Sequence, residues 1–483
     1  MLRRPFLLLS LPVFVWLLLL PLSALGSGFT ELGRLAERGF VIGAEARLLD
    51  NDEVLGSIAP EHQLSPASVS KAYLAAAALD RWGPQHRFTT RLASDAVLDG
   101  EGVLRGDLVF EGSGDPGLAT EDLWRLSQRL HQRGVREVTG RLVISQWRFG
   151  PVACLTTDRC EGRERVANTY SALLSAAGIN HGNWCVNVAP GGEAQAPARI
   201  TSCDSQAPIV AVDNQVITLA SGGATELDAE RITRDGEDVM VLRGTIAGDA
   251  APRDVYRTSG DPATQTARTL AAMLEQAGIR VGGGQATTVQ PPSPAARTLA
   301  SIEGRPLQAL LVDTLHYSNN FMADMLTLGL AEVPRPSLPD GAAAIEHFVA
   351  GIPDHGSFTL ESGSGLTPEN RTTARGINAL LASFYHRPAL FPAFVAGLQT
   401  PSNGVMRFLH RGSPIVQNRV MLKTGTLNQP VAVRAVGGYF RTRTGRWGVF
   451  SALVNGTATT PWLNWRQVLD PLTRDLEQMI DAN

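Results

Sequence analysis

Of the 43 lysines and arginines in the chain, only Lys71 and Lys423 are lysines; arginine fills every other position of that kind. Arginine cannot be deprotonated inside a protein, whereas burial and a neighbouring positive charge can make a lysine a neutral base. Proton-transfer chemistry is therefore sought first at these two positions. Lys71 ends the run Ser68-Val69-Ser70-Lys71. Residues three apart share a helix face, so the Ser68 hydroxyl and the Lys71 amine can meet. A serine hydroxyl is a weak nucleophile until an adjacent base takes its proton, and this pair supplies both parts. Lys423-Thr424-Gly425 suits a strand edge, offering a cation for a substrate carboxylate, a hydroxyl and close backbone approach. Ser318-Asn319-Asn320 adds a hydroxyl and an amide suited to proton relay and substrate binding. No Gly-x-Ser-x-Gly elbow surrounds Ser68, and His62 and His316, near the motifs, are read as bystanders.

Each motif has an ordinary reading when taken alone. Ser68 could cap an alanine-rich core helix, and Lys-Thr-Gly could end a strand in a turn. Together they form the set shared by penicillin-binding proteins and class A β-lactamases. The runs Pro66-Ala67-Ser68-Val69-Ser70-Lys71, Gly112-Ser113-Gly114-Asp115-Pro116, Ser318-Asn319-Asn320-Phe321-Met322-Ala323, Ser362-Gly363-Ser364-Gly365-Leu366 and Lys423-Thr424-Gly425-Thr426-Leu427 follow in that order. In this the chain resembles the D-alanyl-D-alanine carboxypeptidase/endopeptidase family, the low-molecular-mass class C penicillin-binding proteins (peptidase family S13). The resemblance implies a serine D,D-peptidase that acts on peptidoglycan stem peptides and is inhibited by β-lactams. It assigns catalysis to Ser68, Lys71, Ser318 and Asn320, and substrate binding to Lys423, Thr424, Gly425 and Thr426. The oxyanion would sit on the backbone N–H groups of Ser68 and Thr426. It implies no metal and no organic cofactor, and leaves a homodimer open. Three departures from the family pattern are Asn319 where aspartate is frequent, no acidic residue after Leu142-Val143-Ile144-Ser145, and the segment Thr400 to Val405. Two rivals share the motifs: a β-lactamase or esterase, and a non-catalytic wall-binding protein. The gap of roughly 250 residues between Ser68 and Ser318 argues against the first, and the placement of the two lysines against the second.

The elements that must position these residues are legible in part. Phe40 to Leu49 and Glu53 to Ile58 read as strands across a turn at Asp50-Asn51-Asp52, and Ser68 to Leu79 as a helix. Leu307 to Leu315, Asn319 to Leu330 and Ala374 to Tyr385 read as helices. Val420 to Thr426, Ala432 to Phe440 and Trp447 to Asn455 read as strands, and Trp465 to Ile480 as a helix that Pro471 can kink. Between about 96 and 255 short β-branched runs alternate with turns, and Gln265 to Gln276 is a helix stopped at Gly278. The expected fold is α/β: a β-lactamase/transpeptidase-like catalytic domain, an antiparallel sheet flanked by helices, built from residues 27–95 and 298–483. A β-rich insertion of two subdomains is expected at 96–297.

Composition narrows the setting. With 18% charged and 44% hydrophobic residues and a formal charge of -3, the chain has no basic field for nucleic acid. Arg3 and Arg4 precede an apolar run from Pro5 to Leu22, and small residues follow at Ser23, Ala24, Gly26 and Ser27. That is the order of a secretory signal over 1–26, cleaved after Gly26 and delivering the protein to the periplasm. An uncleaved membrane anchor is the alternative, since roughly 18 apolar residues can just span a bilayer. Cys154, Cys160, Cys185 and Cys203 suit oxidation in that compartment. Zinc spacing is absent, so two structural disulfides are expected, with three pairings open.

Overall fold

The computed structural model describes residues 28–204 and 207–483; the expected signal over 1–26 lies outside them. A five-stranded antiparallel sheet organises the catalytic part. Its order is Val420–Leu427, Val433–Arg441, Trp447–Asn455, Val41–Leu48, Val54–Ile58. Side chains alternate faces along a strand, and both faces here are apolar. Ala435, Tyr439, Val449 and Leu453 join the core under the helices Ser70–Trp82, Leu307–His316, Asn320–Leu330 and Ala374–Tyr385. Val436, Phe440, Phe450 and Ala452 join the opposite core, under Trp465–Ala482. The result is the expected α/β sandwich of helices, sheet and helices.

Several elements match the sequence reading within a residue or two: Ala374–Tyr385 and Trp447–Asn455 coincide with it, and Trp465–Ala482 continues through Pro471. Ser68 itself lies in a 3₁₀ turn, Ala67–Val69, that leads into the helix Ser70–Trp82.

The long inserted segment forms two units with separate cores. In the first, a mixed five-stranded sheet runs Gln285–Thr288, Leu142–Ser145, Leu108–Glu111, Thr89–Ser94, Arg297–Glu303. The helices Thr120–Gln132 and Pro262–Gln276 pack on it. The second unit is all β: three strands that include Asn183–Ala189 and four that include Glu237–Ala247 enclose their own core. Two hand-over points differ from the expected 95 and 298. Thr89–Ser94 and Arg297–Glu303 pair with each other inside the inserted sheet, so the chain leaves the catalytic part before Thr89 and returns after Glu303. The bridges are Cys154–Cys160 and Cys185–Cys203, the most local of the three pairings, and no described cysteine is free.

Candidate active site

Two left-handed residues open the site. Ala67 (φ 44°) and Ser318 (φ 52°) hold conformations that only a rigid surrounding maintains in non-glycine residues. Ala67 opens the 3₁₀ turn that holds Ser68 and leads into the helix carrying Lys71. Ser318 sits between two helices, where Asn319 caps the second by accepting a hydrogen bond from the Met322 amide at 3.0 Å. The asparagine that departs from the family pattern is thus a helix cap, a task for which aspartate serves equally.

Lys71 is fully buried, and its Nζ has three oxygen partners. Ser68 Oγ lies at 3.0 Å, Asn320 Oδ1 at 2.7 Å and the Ser364 carbonyl at 2.5 Å. Two of these, the amide and carbonyl oxygens, can only accept. A neutral amine would give them its two N–H groups and aim its lone pair at the Ser68 hydroxyl. Burial first, and the charge of Lys423 second, hold the Lys71 amine well below its ordinary range. Ser70, the other serine of the run, is occupied elsewhere: Asn370 Nδ2 donates to its hydroxyl at 2.9 Å.

Lys423 lies on the edge strand of the sheet, and its Nζ donates to Ser318 Oγ at 2.9 Å and to the Thr424 carbonyl at 2.8 Å. Burial brings its amine down to about 7. Outside the sheet, Leu422 exchanges both backbone hydrogen bonds with Gln399. By the two-residue period of an antiparallel strand, the backbone groups of Thr424 and Thr426 turn to that same free edge. A Cβ on Gly425 would stand 2.3 Å from the Pro66 carbonyl and 2.9 Å from the Ser68 nitrogen, so only glycine lets the strand lie against the nucleophile turn. Thr426 is exposed, and its hydroxyl accepts a hydrogen bond from Trp465 Nε1 at 3.0 Å.

Sequence-selected residues Ser68, Lys71, Ser318, Asn320, Lys423, Thr424, Gly425 and Thr426 therefore meet in one place. The cysteines do not join them. Sequence reasoning missed four contributors. The Ser364 carbonyl and the Tyr170 carbonyl, which accepts Asn320 Nδ2 at 3.1 Å, act through backbone and leave no residue-type signal. Asp324 was findable as an acid in the apolar run Phe321 to Leu330, a placement that demands a partner. That partner, Arg159, comes from the insertion, and no local pattern marks it.

The D-Ala-D-Ala carboxypeptidase 3 (S13) family model matches residues 33–476. A D-alanyl-D-alanine carboxypeptidase of Actinomadura sp. is 31% identical over 395 residues, which cover 78% of this chain and 71% of that one. D-alanyl-D-alanine carboxypeptidase DacB of Haemophilus influenzae is 24% identical, over 89% of this chain and 88% of its own. Among solved structures, penicillin binding protein 4 of Haemophilus influenzae superposes with a TM-score of 0.75 at 20% identity, covering 93% of this chain and 99% of that one. A predatory peptidoglycan endopeptidase from Bdellovibrio bacteriovorus gives 0.51 at 15% identity, over 92% and 93% of the two chains. Its sequence motifs, its fold and the span of the family match agree: the chain belongs to the D-Ala-D-Ala carboxypeptidase 3 (S13) family.

Proposed function

We propose that the protein is a serine-type D-Ala-D-Ala carboxypeptidase/endopeptidase that works on peptidoglycan stem peptides in the periplasm, with Ser68 as its nucleophile. The observation that carries the assignment is a buried Lys71 amine at 3.0 Å from the Ser68 hydroxyl, with its other partners acceptors only. Neutral Lys71 takes the Ser68 proton as Oγ attacks the carbonyl before the terminal D-Ala. The tetrahedral oxyanion receives the N–H groups of Ser68 and Thr426, donors worth about 3 kcal/mol each in comparable sites. Ser318, linked to Lys423, returns a proton to the leaving amine. Lys423 and Thr424 hold the terminal carboxylate at the strand edge, and Asn320 holds both Lys71 and the substrate amide. Water then hydrolyses the acyl-enzyme. The N-terminal apolar segment supports export.

A β-lactam presents a strained amide beside a carboxylate, so the same steps trap it on the serine. Intact-mass measurement after treatment with a labelled penicillin should show one adduct, mapped to Ser68 by peptide sequencing. An adduct on Ser70 or Ser318, or none on folded protein, rejects the assignment. Rapid loss of the adduct with turnover of the drug would instead favour a β-lactamase.

A further inference from the structure

A charged pair buried behind the base is not used by the mechanism above. Asp324 has no exposure, and Arg159 only 2%. Asp324 Oδ1 accepts from the Ser362 hydroxyl at 2.7 Å and from the Ser364 amide at 3.0 Å. Its other oxygen accepts from Arg159 Nη1 at 2.9 Å. The Ser364 carbonyl in turn receives Lys71 Nζ. The carboxylate thus stands one peptide group from the base, where its charge favours the ammonium form that cannot accept a proton.

Arg159 arrives from outside the catalytic part, on the short helix Thr157–Glu161 of the inserted segment, beside Cys160 and its bridge to Cys154. Its Nε and Nη2 have no hydrogen-bond partner among the described residues. A guanidinium buried on so few hydrogen bonds is costly, so its charge, more than its bonding capacity, accounts for its position. The charged groups that bear on Lys71 are Lys423 from the strand edge, Asp324 from the helix Asn320–Leu330, and Arg159 from the insertion. Of these, Asp324 alone pulls towards protonation, and Arg159 opposes it.

We infer that Arg159 is a positioning residue for the reaction: it cancels the charge of Asp324, so that this carboxylate can anchor the Ser362–Gly365 turn without protonating the Lys71 base. The inference rests on the assignment of Ser68 and Lys71 made above. Its consequence is that the insertion supplies part of the electrostatic setting of the catalytic base.

The test is the rate of Ser68 acylation by a penicillin, followed against pH in full-length protein. In Arg159→Gln the acid limb should move to higher pH by on the order of 1 unit, with the rate recovering at alkaline pH. Arg159→Lys should keep the wild-type limb. Asp324→Asn should move it to lower pH, and the double variant should bring it back towards wild type. A uniform loss at every pH in Arg159→Gln, with the limb unmoved, would reduce the residue to a structural brace and overturn the inference. If Arg159→Gln does not fold, Asp324→Asn and the double variant decide: a limb that Asp324→Asn leaves unmoved, or that the double variant does not bring back, is equally fatal. Wild-type protein labelled elsewhere than Ser68 would instead sink the underlying assignment, and the inference with it.

Discussion

At the scale of single residues the two lysines differ in what they must do, and substitution by arginine separates them. Lys71→Arg keeps a positive charge but cannot accept a proton, so acylation by penicillin should fall by at least ~10²–10⁴. In the proposed mechanism Lys423 acts by its charge, so Lys423→Arg should retain measurable acylation while Lys423→Ala loses far more. Stopped-flow or quench measurements on the three variants check this, and a wild-type rate in Lys71→Arg would refute the base. The Lys423 amine at about 7 adds a pH signature. The cationic form exists below that value, so kcat/KM for a peptide ending in D-Ala-D-Ala should decline as pH rises past it. Lys423→Arg remains charged, and its decline should move to higher pH. Lys71 and Lys423 were conspicuous in the sequence because lysine is rare here, and the structure brings them to one place. Asp324 and Arg159 were not singled out, because their meaning lies in a contact 165 positions apart in sequence.

At the scale of elements, the nucleophile turn and the edge strand must nearly touch. Gly425→Ala places a methyl 2.3 Å from the Pro66 carbonyl, so strand or turn has to withdraw. Displacements near 1 Å can cost about 10² in rate, and acylation should drop by that order. The strand is held on its inner side by eight paired positions, so the far-ultraviolet circular dichroism should stay unchanged. An acylation rate within twofold of wild type would show that the approach is not needed. Start signals went partly unused: the cap Asp261 followed by Pro262 could have fixed the true beginning of Pro262–Gln276, and the capping box of Ser337 and Asp340 could have revealed Leu338–Ala350, which was not read. The helix Thr120–Gln132 was missed although Leu123, Leu126 and Leu130 carry helical spacing and are fully buried. Short β-branched runs on either side made its neighbourhood read as strand, and periodicity over one short window did not outweigh them.

At the scale of the whole molecule, the insertion and catalytic part meet beside Asp115, in the run Gly112 to Pro116. Burial pushes its carboxyl up to about 6, and its Oδ1 accepts the Gly117 amide at 2.9 Å. A carboxyl whose folded value exceeds its unfolded value binds protons more tightly when folded, so stability falls as pH rises from about 4 through 6. Asp115→Asn keeps the acceptor without the charge. It should be more stable than wild type by ~1–3 kcal/mol at pH 7, with the difference vanishing below pH 4, as thermal melts at the two pH values can read. Equal melting at pH 7 would contradict the burial cost. The hand-over points were not visible in the sequence, because the pairing of Thr89–Ser94 with Arg297–Glu303 is a long-range register that no local signal encodes. The catalytic sheet has the same character: Val41–Leu48 pairs with Trp447–Asn455, and Asp475 caps the first described helix through the Glu31 and Leu32 amides. During synthesis the ribosome releases Ser68 early and Lys423 late, so a nascent chain carries its nucleophile through most of its translation without the strand edge that completes the site. Chains arrested short of Val420 should take up no labelled penicillin, and finished chains should. Hydrolytic competence is thereby withheld until the last strands have joined the first.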